Sequence, residues 1–147
     1  MAQRMVAAAR SFGELDALVP VPLHPSKEAE RGYNQSQLLA AEIGQAIDVP
    51  VVPLLIRQRK TQSQVKLHRE ERAANVDGAF TLSPEWYPVP GGRYLLIDDV
   101  RTTSATLNAC AKVLQAASPV SISVLTFAFD IPTAELRAWL AANGTGP

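Results

Sequence analysis

Cysteine is almost missing from this sequence: Cys110 is the only one in 147 residues. One cysteine can neither close an intrachain disulfide nor, alone, make a thiolate metal site, so extracellular stapling and structural zinc are excluded and cytoplasmic residence is the expectation. His24 and His68 are the only histidines, and with no cysteine partner they do not point to a transition-metal site. A surplus of either charge is missing too. Lys plus Arg, 14, balances Asp plus Glu, 14, so nothing global attracts a polyanion, whereas a duplex-DNA binder usually shows a basic excess. No run approaches the roughly 20 apolar residues that a membrane span needs, and MAQRMVAAARSF is too short in unbroken apolar length for a signal peptide. Membrane insertion is not expected. Repeats, low-complexity stretches and linkers are absent as well, and the length suits one domain over residues 1–147.

What is present is an alternation of apolar patterns. Met1, Met5, Ala8 and Phe12 have helical spacing that Gly13 ends. LDALVPVPL reads as a short buried strand whose prolines stop it near Pro22, with Leu23 to Lys27 as an irregular loop at its carboxyl end. Asn34 to Ile47 predicts an amphipathic helix with Leu38, Leu39, Ile43, Ala46 and Ile47 on one face, and VPVVPLLIR a second strand. Residues 57–76 are polar with no sustained apolar period, a flexible loop or a surface hairpin closed by Gly78, Ala79 and Phe80. After the turn-rich TLSPEWYPVPGG, the unalternated RYLLIDDV suits a strand covered on both faces. A helix then opens at TTSATL and runs to about Ala117, VSISVLTFAF is a further strand, and PTAELRAWLAAN a terminal helix. Strands alternating with helices predict an α/β fold: a mostly parallel, twisted sheet flanked by helices.

The chemistry concentrates in YLLIDDVRTTSATL, residues 94–107. In open α/β sheets ligands bind at the carboxyl ends of strands, which is where Asp98 and Asp99 fall. Adjacent carboxylates repel, and a chain tolerates them where a cation or several hydrogen-bond donors offset the repulsion; ribose hydroxyls and Mg²⁺ both qualify. Thr102, Thr103, Ser104 and Thr106 stand at the predicted start of a helix, whose unpaired N–H groups attract an anion. Acids for a sugar diol beside donors for its phosphate describe a phosphorylated ribose. The plainer alternative is a helix cap, for which Asp and Thr are ordinary residues, though a cap needs only one of them.

Elsewhere, RGYNQ (residues 31–35) joins a cation, a glycine, a ring and two amides before a helix: a pyrophosphate or purine-like ligand could use them, or Asn34 caps the helix while Tyr33 packs beside it. Between Arg57 and Arg72 there are six basic residues, including Arg59, Lys60 and Lys66, against Glu70 and Glu71. Such a run is commonly a solvated face, and it could also neutralise pyrophosphate or track single-stranded DNA. No aromatic residue lies between Leu55 and Phe80 to stack bases. Cys110 reads as a core residue of its helix, His68 as solvent-facing, and Trp86, Tyr87 and Trp139 as packing or surface anchors.

LLIDDVRTTSATL resembles the phosphoribosyl pyrophosphate (PRPP) signature of type I phosphoribosyltransferases: four apolar residues, two acids, a spacer, then Thr-Thr-Gly-x-Thr. More narrowly, VPVPLHPSKEAERGYNQSQLLA, RQRKTQSQVKLHREERAANVDGAF and the final strand resemble the ComF family of competence-associated, phosphoribosyltransferase-like proteins, over roughly residues 18–129. The resemblance implies a type I phosphoribosyltransferase-like fold and a Mg²⁺-dependent transfer with PRPP, in which pyrophosphate leaves the ribose C1 through an oxocarbenium-like state. It places Asp98 and Asp99 on the ribose hydroxyls and the associated Mg²⁺. Thr102, Thr103, Ser104, Ala105 and Thr106 would cradle the 5-phosphate, Leu23 and His24 would form the pyrophosphate loop, and Lys60 to Gln64 would lie in the flexible catalytic loop. Lys60 and Arg31 would then offset charge on the leaving group. The partners it implies are PRPP or another ribose phosphate, competence and DNA-processing proteins and, in a non-catalytic adaptor, single-stranded DNA. Ser104 stands where the signature usually has glycine, so a positive φ there would carry strain of about 1 kcal/mol. Many ComF-type chains also have an N-terminal cysteine-rich zinc module, for which this sequence lacks the cysteines.

Overall fold

The computed structural model describes residues 2–60, 68–101 and 104–129. Its elements in chain order are α1 (Ala2–Ala9) with a 3₁₀ turn (Arg10–Phe12), β1 (Ala17–Pro20), α2 (Pro25–Arg31), α3 (Gln35–Ile47) and β2 (Leu55–Arg57). There follow α4 (Arg69–Val76), β3 (Phe80–Leu82), β4 (Arg93–Arg101), α5 (Ala105–Gln115) and β5 (Ser121–Phe129). The sequence-predicted terminal helix PTAELRAWLAAN lies outside the described residues, as do Trp139, Thr102 and Thr103.

β4 is central because its residues are apolar on both faces. It pairs parallel with β1, Leu18 opposite Leu95, and with β5, Leu96 opposite Val124. Alternation along the strand sends Leu95 and Ile97 to one side, where they pack with Met5, Leu39 and Ile43 of α1 and α3. Tyr94 and Leu96 go to the other, with Leu107, Cys110 and Leu114 of α5 and with Leu55 and Phe80. Cys110 is therefore a core residue, fully buried, and burial pushes its thiol far above the ordinary range. It stays a neutral thiol.

Three sequence-based expectations change. VPVVPLLIR is not one strand: Val51 makes an isolated parallel bridge to Leu18, while Leu55–Arg57 leaves the main sheet and pairs antiparallel with β3. The cause lies in β1. Leu18 N–H donates to Pro50 O on that side of the strand, but the next N–H positions facing the same way belong to Pro20 and Pro22, which have none. Pairing with the 50–52 segment cannot continue, and the sheet splits.

Second, Leu23 to Lys27 is not all loop, because α2 begins at Pro25. His24 is its N-cap, accepting from Ser26 N–H at 3.2 Å, proline occupies the first helical turn, and Gly32 closes it at φ 82° with its N–H donating to Glu28 O. Third, α3 buries a narrower stripe than its pattern suggests. Leu39, Ala40, Ile43 and Gly44 are buried, whereas Leu38 and Ala46 are exposed. Of the 57–76 stretch, residues 61–67 lie outside the described residues; Arg69–Val76 forms α4, and β2 and β3 on either side of the stretch pair antiparallel. His68 N–H donates to Glu71 Oε2 at the start of α4.

Gly44 is where α3 comes closest to the rest of the fold. A Cβ there would lie 2.7 Å from Val49 O and 2.8 Å from Val51 Cγ2. Overpacking of this kind costs about 1–3 kcal/mol, against a helix-propensity gain of about 1 kcal/mol for alanine. Gly44→Ala is therefore expected to lower the urea midpoint at unchanged m-value; an unchanged or higher midpoint would show that the 49–51 turn yields freely.

Candidate functional site

The site forms where β4 outlasts β1. Pairing between β1 and β4 ends at Pro20 opposite Ile97, with one further bond from Val21 N–H to Ile97 O at 2.9 Å, after which the chain turns away toward α2. On its other edge β4 stays paired with β5 to Arg101, so the acid pair sits within the strand rather than in the loop after it. Asp98 and Asp99 thus have β5 on one side and open space on the other. The space is a cleft of about 170 Å³, lined by Val21, Pro22 and Leu23 after β1, by Asn34 and Ser36 of α3, and by Thr106 of α5. Three cations border it: Lys27, Arg31 and Arg57.

Each cation arrives for a local reason. Lys27 and Arg31 are four residues apart on α2 and so share one face of that helix. Arg57 ends β2, where its guanidinium carbon stands 5.2 Å from the ring centroid of Phe80, the opposing residue of β3. Burial lowers the pKa of this guanidinium, while Cys110 and Asp98 act in the opposite direction. The neighbouring Arg59 faces elsewhere, donating to the carbonyls of Asn75 (3.2 Å) and Asp77 at the end of α4.

Asp98 is the constrained member of the acid pair. Its Oδ1 accepts from Ser36 Oγ–H at 2.9 Å and from Asp99 N–H at 3.0 Å. Burial pushes its carboxyl up to about 6; the Ser36 hydroxyl opposes this and the Asp99 charge reinforces it. Asn34 serves α3 as the N-cap, its Oδ1 accepting from Ser36 N–H at 3.1 Å and its Nδ2 donating to Val21 O at 3.0 Å.

Of the sequence-predicted residues, Asp98, Asp99, Arg31, Leu23 and Thr106 meet at this cleft. His24 borders instead an adjoining cleft of about 530 Å³ between β1 and β2, where the prolines split the sheet. Lys60 is exposed and lines neither cleft. Ser104 precedes α5 at φ 63°, so the position does adopt the left-handed backbone that glycine would supply without strain. Ala105 opens α5 without lining either cleft. Tyr33 is half exposed rather than packed. Sequence reasoning missed Lys27, Ser36 and the inward turn of Arg57. An i, i+4 pairing of Lys27 with Arg31 was the one available signal.

The donor set fits magnesium in one particular way. Among the described residues no group of three or more His, Cys, Asp and Glu gathers, so a fully protein-made cage is not offered. Mg²⁺ commonly keeps several waters and binds through one or two carboxylates plus substrate phosphates. Asp98 and Asp99 beside a cationic cleft match that demand.

Comparison with curated proteins gives 36% identity to competence protein F of Haemophilus influenzae, over 68% of this chain and 44% of that protein. The DNA utilization protein YhgH of Salmonella typhimurium is 36% identical over 76% of this chain and 49% of its own length, and competence protein ComFC of Bacillus subtilis 34% identical over 74% and 42%. This chain is a ComF relative. It spans about half the length of the curated relatives it matches. No protein-family model matches the ComF relative. Among solved structures it resembles purine phosphoribosyltransferase from Pyrococcus horikoshii, at a TM-score of 0.56 and 12% identity over 90% of this chain and 75% of that one. It also resembles adenine phosphoribosyltransferase from Leishmania donovani, at 0.56 and 15% over 97% and 56%. The ComF relative has the phosphoribosyltransferase fold. Among its described residues no helix is long and apolar enough to cross a membrane.

Proposed function

We propose that the cleft past the end of β1, beside β4, binds a ribose phosphate, PRPP foremost, together with Mg²⁺, and that the ComF relative is a phosphoribosyltransferase or PRPP-binding protein acting in competence and DNA utilization. One observation carries the reading: two adjacent carboxylates and three cations border the same small cleft at the carboxyl ends of two parallel strands. Carboxylates suit a sugar diol, and cations suit a diphosphate. Asp99 and the remaining oxygen of Asp98 would accept from the ribose hydroxyls and from Mg²⁺-bound water. When bound, the ion would screen the diphosphate and favour its departure as a leaving group. Lys27, Arg31 and Arg57 would carry the rest of that charge, and Thr106 with the N-terminus of α5 would face the 5-phosphate. The relatives' names supply the competence and DNA-utilization context.

Isothermal titration of PRPP, with and without Mg²⁺, tests this. Saturable binding that requires Mg²⁺ and weakens at least tenfold in Asp99→Asn is the expected result. A folded protein that gives no heat with PRPP would remove the ribose-phosphate reading and leave a DNA-processing adaptor as the better account.

A further inference from the structure

We infer that Ser36 is a positioning residue for the acid pair: its hydroxyl fixes which oxygen of Asp98 is presented to the cleft. This rests on the ribose-phosphate reading of that cleft. Four hydrogen bonds form a closed circuit through three separate segments. Ile97 O accepts from Val21 N–H at 2.9 Å, and Val21 O accepts from Asn34 Nδ2 at 3.0 Å. Asn34 Oδ1 accepts from Ser36 N–H at 3.1 Å, and Ser36 Oγ–H donates to Asp98 Oδ1 at 2.9 Å, which returns the path to the residue after Ile97. The end of β1, the start of α3 and the middle of β4 are thereby locked together.

Within the circuit the Ser36 hydroxyl has no other local duty that the structure shows. The helix is already capped by Asn34, so α3 does not need a second capping side chain. Ser36 is only 4% exposed, and a hydroxyl in such a place is retained at a cost unless it is bonded. Its bond goes to an oxygen that also receives Asp99 N–H. Those two donors use both lone-pair positions of Oδ1. They oppose rotation of the carboxylate and fix the direction in which Oδ2 points. Without the hydroxyl, Asp98 could turn and offer either oxygen, or neither in the needed direction.

The test compares ribose 5-phosphate in the presence of Mg²⁺ with inorganic phosphate alone, using ligand-induced NMR shifts, which read millimolar affinities. Ser36→Ala is expected to weaken ribose 5-phosphate about tenfold and phosphate less than twofold, with Ser36→Thr recovering most of the loss. Ser36→Gly, which loses Cβ together with the hydroxyl, should behave as Ser36→Ala. An equal loss for both ligands would mean a structural role only. Unchanged ribose 5-phosphate affinity in Ser36→Ala, with wild-type protein binding normally, would overturn the positioning role while sparing the proposed function; no binding by wild-type protein would overturn both.

Discussion

Replacing Asp98 by Asn is expected to make the ligand-free protein more stable at pH 7.5 by about 1–3 kcal/mol, while removing Mg²⁺-dependent PRPP binding. Burial holds the folded-state pKa of Asp98 at about 6, above the ordinary carboxylate value of 3.8. The folded protein therefore binds this proton more tightly than the unfolded chain does, and between pH 4 and 6 the group's contribution to stability falls as pH rises. Above pH 7 Asp98 is charged in both states and its full penalty is present: about two pKa units at 1.36 kcal/mol each, or roughly 3 kcal/mol. Asparagine keeps an acceptor for Ser36 and for Asp99 N–H but carries no charge to desolvate. The advantage of Asp98→Asn over wild type should accordingly be large at pH 7.5 and close to zero at pH 3.5. Urea unfolding with EDTA at several pH values reads it. A variant less stable than wild type at pH 7.5 would show that Asp98 is held by attractions exceeding its burial cost. The predicted pattern, stability gained as binding is lost, is what a functional carboxylate should give.

Much of the frame was legible because its signals are local. The unbroken apolar run before Asp98 shows a central strand, since only a strand covered on both faces can bury Leu95 and Leu96 together. Asn34 shows a helix start, and Cys110 a core position, each from its nearest neighbours in sequence. What was not legible depends on contacts between distant segments. The hydroxyl of Ser36 meets a carboxylate 62 residues away, and nothing about a serine beside a cap residue announces it. α2 was concealed by its cap: histidine is an unusual N-cap, and Pro25 reads as a breaker until the turn before it is known to be helical. The end of the second strand was hidden for a different reason. Val51 and Val52 have strand chemistry, but their pairing is limited by prolines on another strand, and no window on residues 49–57 contains that fact.

Arg57 and Arg59 make the sharpest contrast between a charge run read as sequence and the same run folded. Two residues apart on a strand end, they belong to one basic segment, yet Arg57 borders the cleft and Arg59 holds the carbonyls at the end of α4. Arg57→Met keeps an unbranched apolar stem beside Phe80 and removes the guanidinium, so the hydrophobic contact survives while the charge is lost. Because this cation is partly withdrawn from water, its attraction for a diphosphate is screened less than that of a surface lysine. Arg57→Met is expected to weaken Mg²⁺-PRPP binding about a hundredfold, the equivalent of about 2.7 kcal/mol. Arg57→Lys should recover little of it, since an ammonium lacks the planar fork that stacks on the ring. Arg59→Met should change PRPP affinity less than threefold and instead lower stability by about 1 kcal/mol through the lost bonds to α4. Single-stranded DNA separates the two accounts of the segment. If it served as a continuous basic track, the two substitutions would weaken salt-dependent DNA binding equally, by one phosphate contact each. A large loss for Arg57→Met with PRPP, set against a small one for Arg59→Met, would assign the first arginine to the ribose-phosphate cleft and the second to the fold.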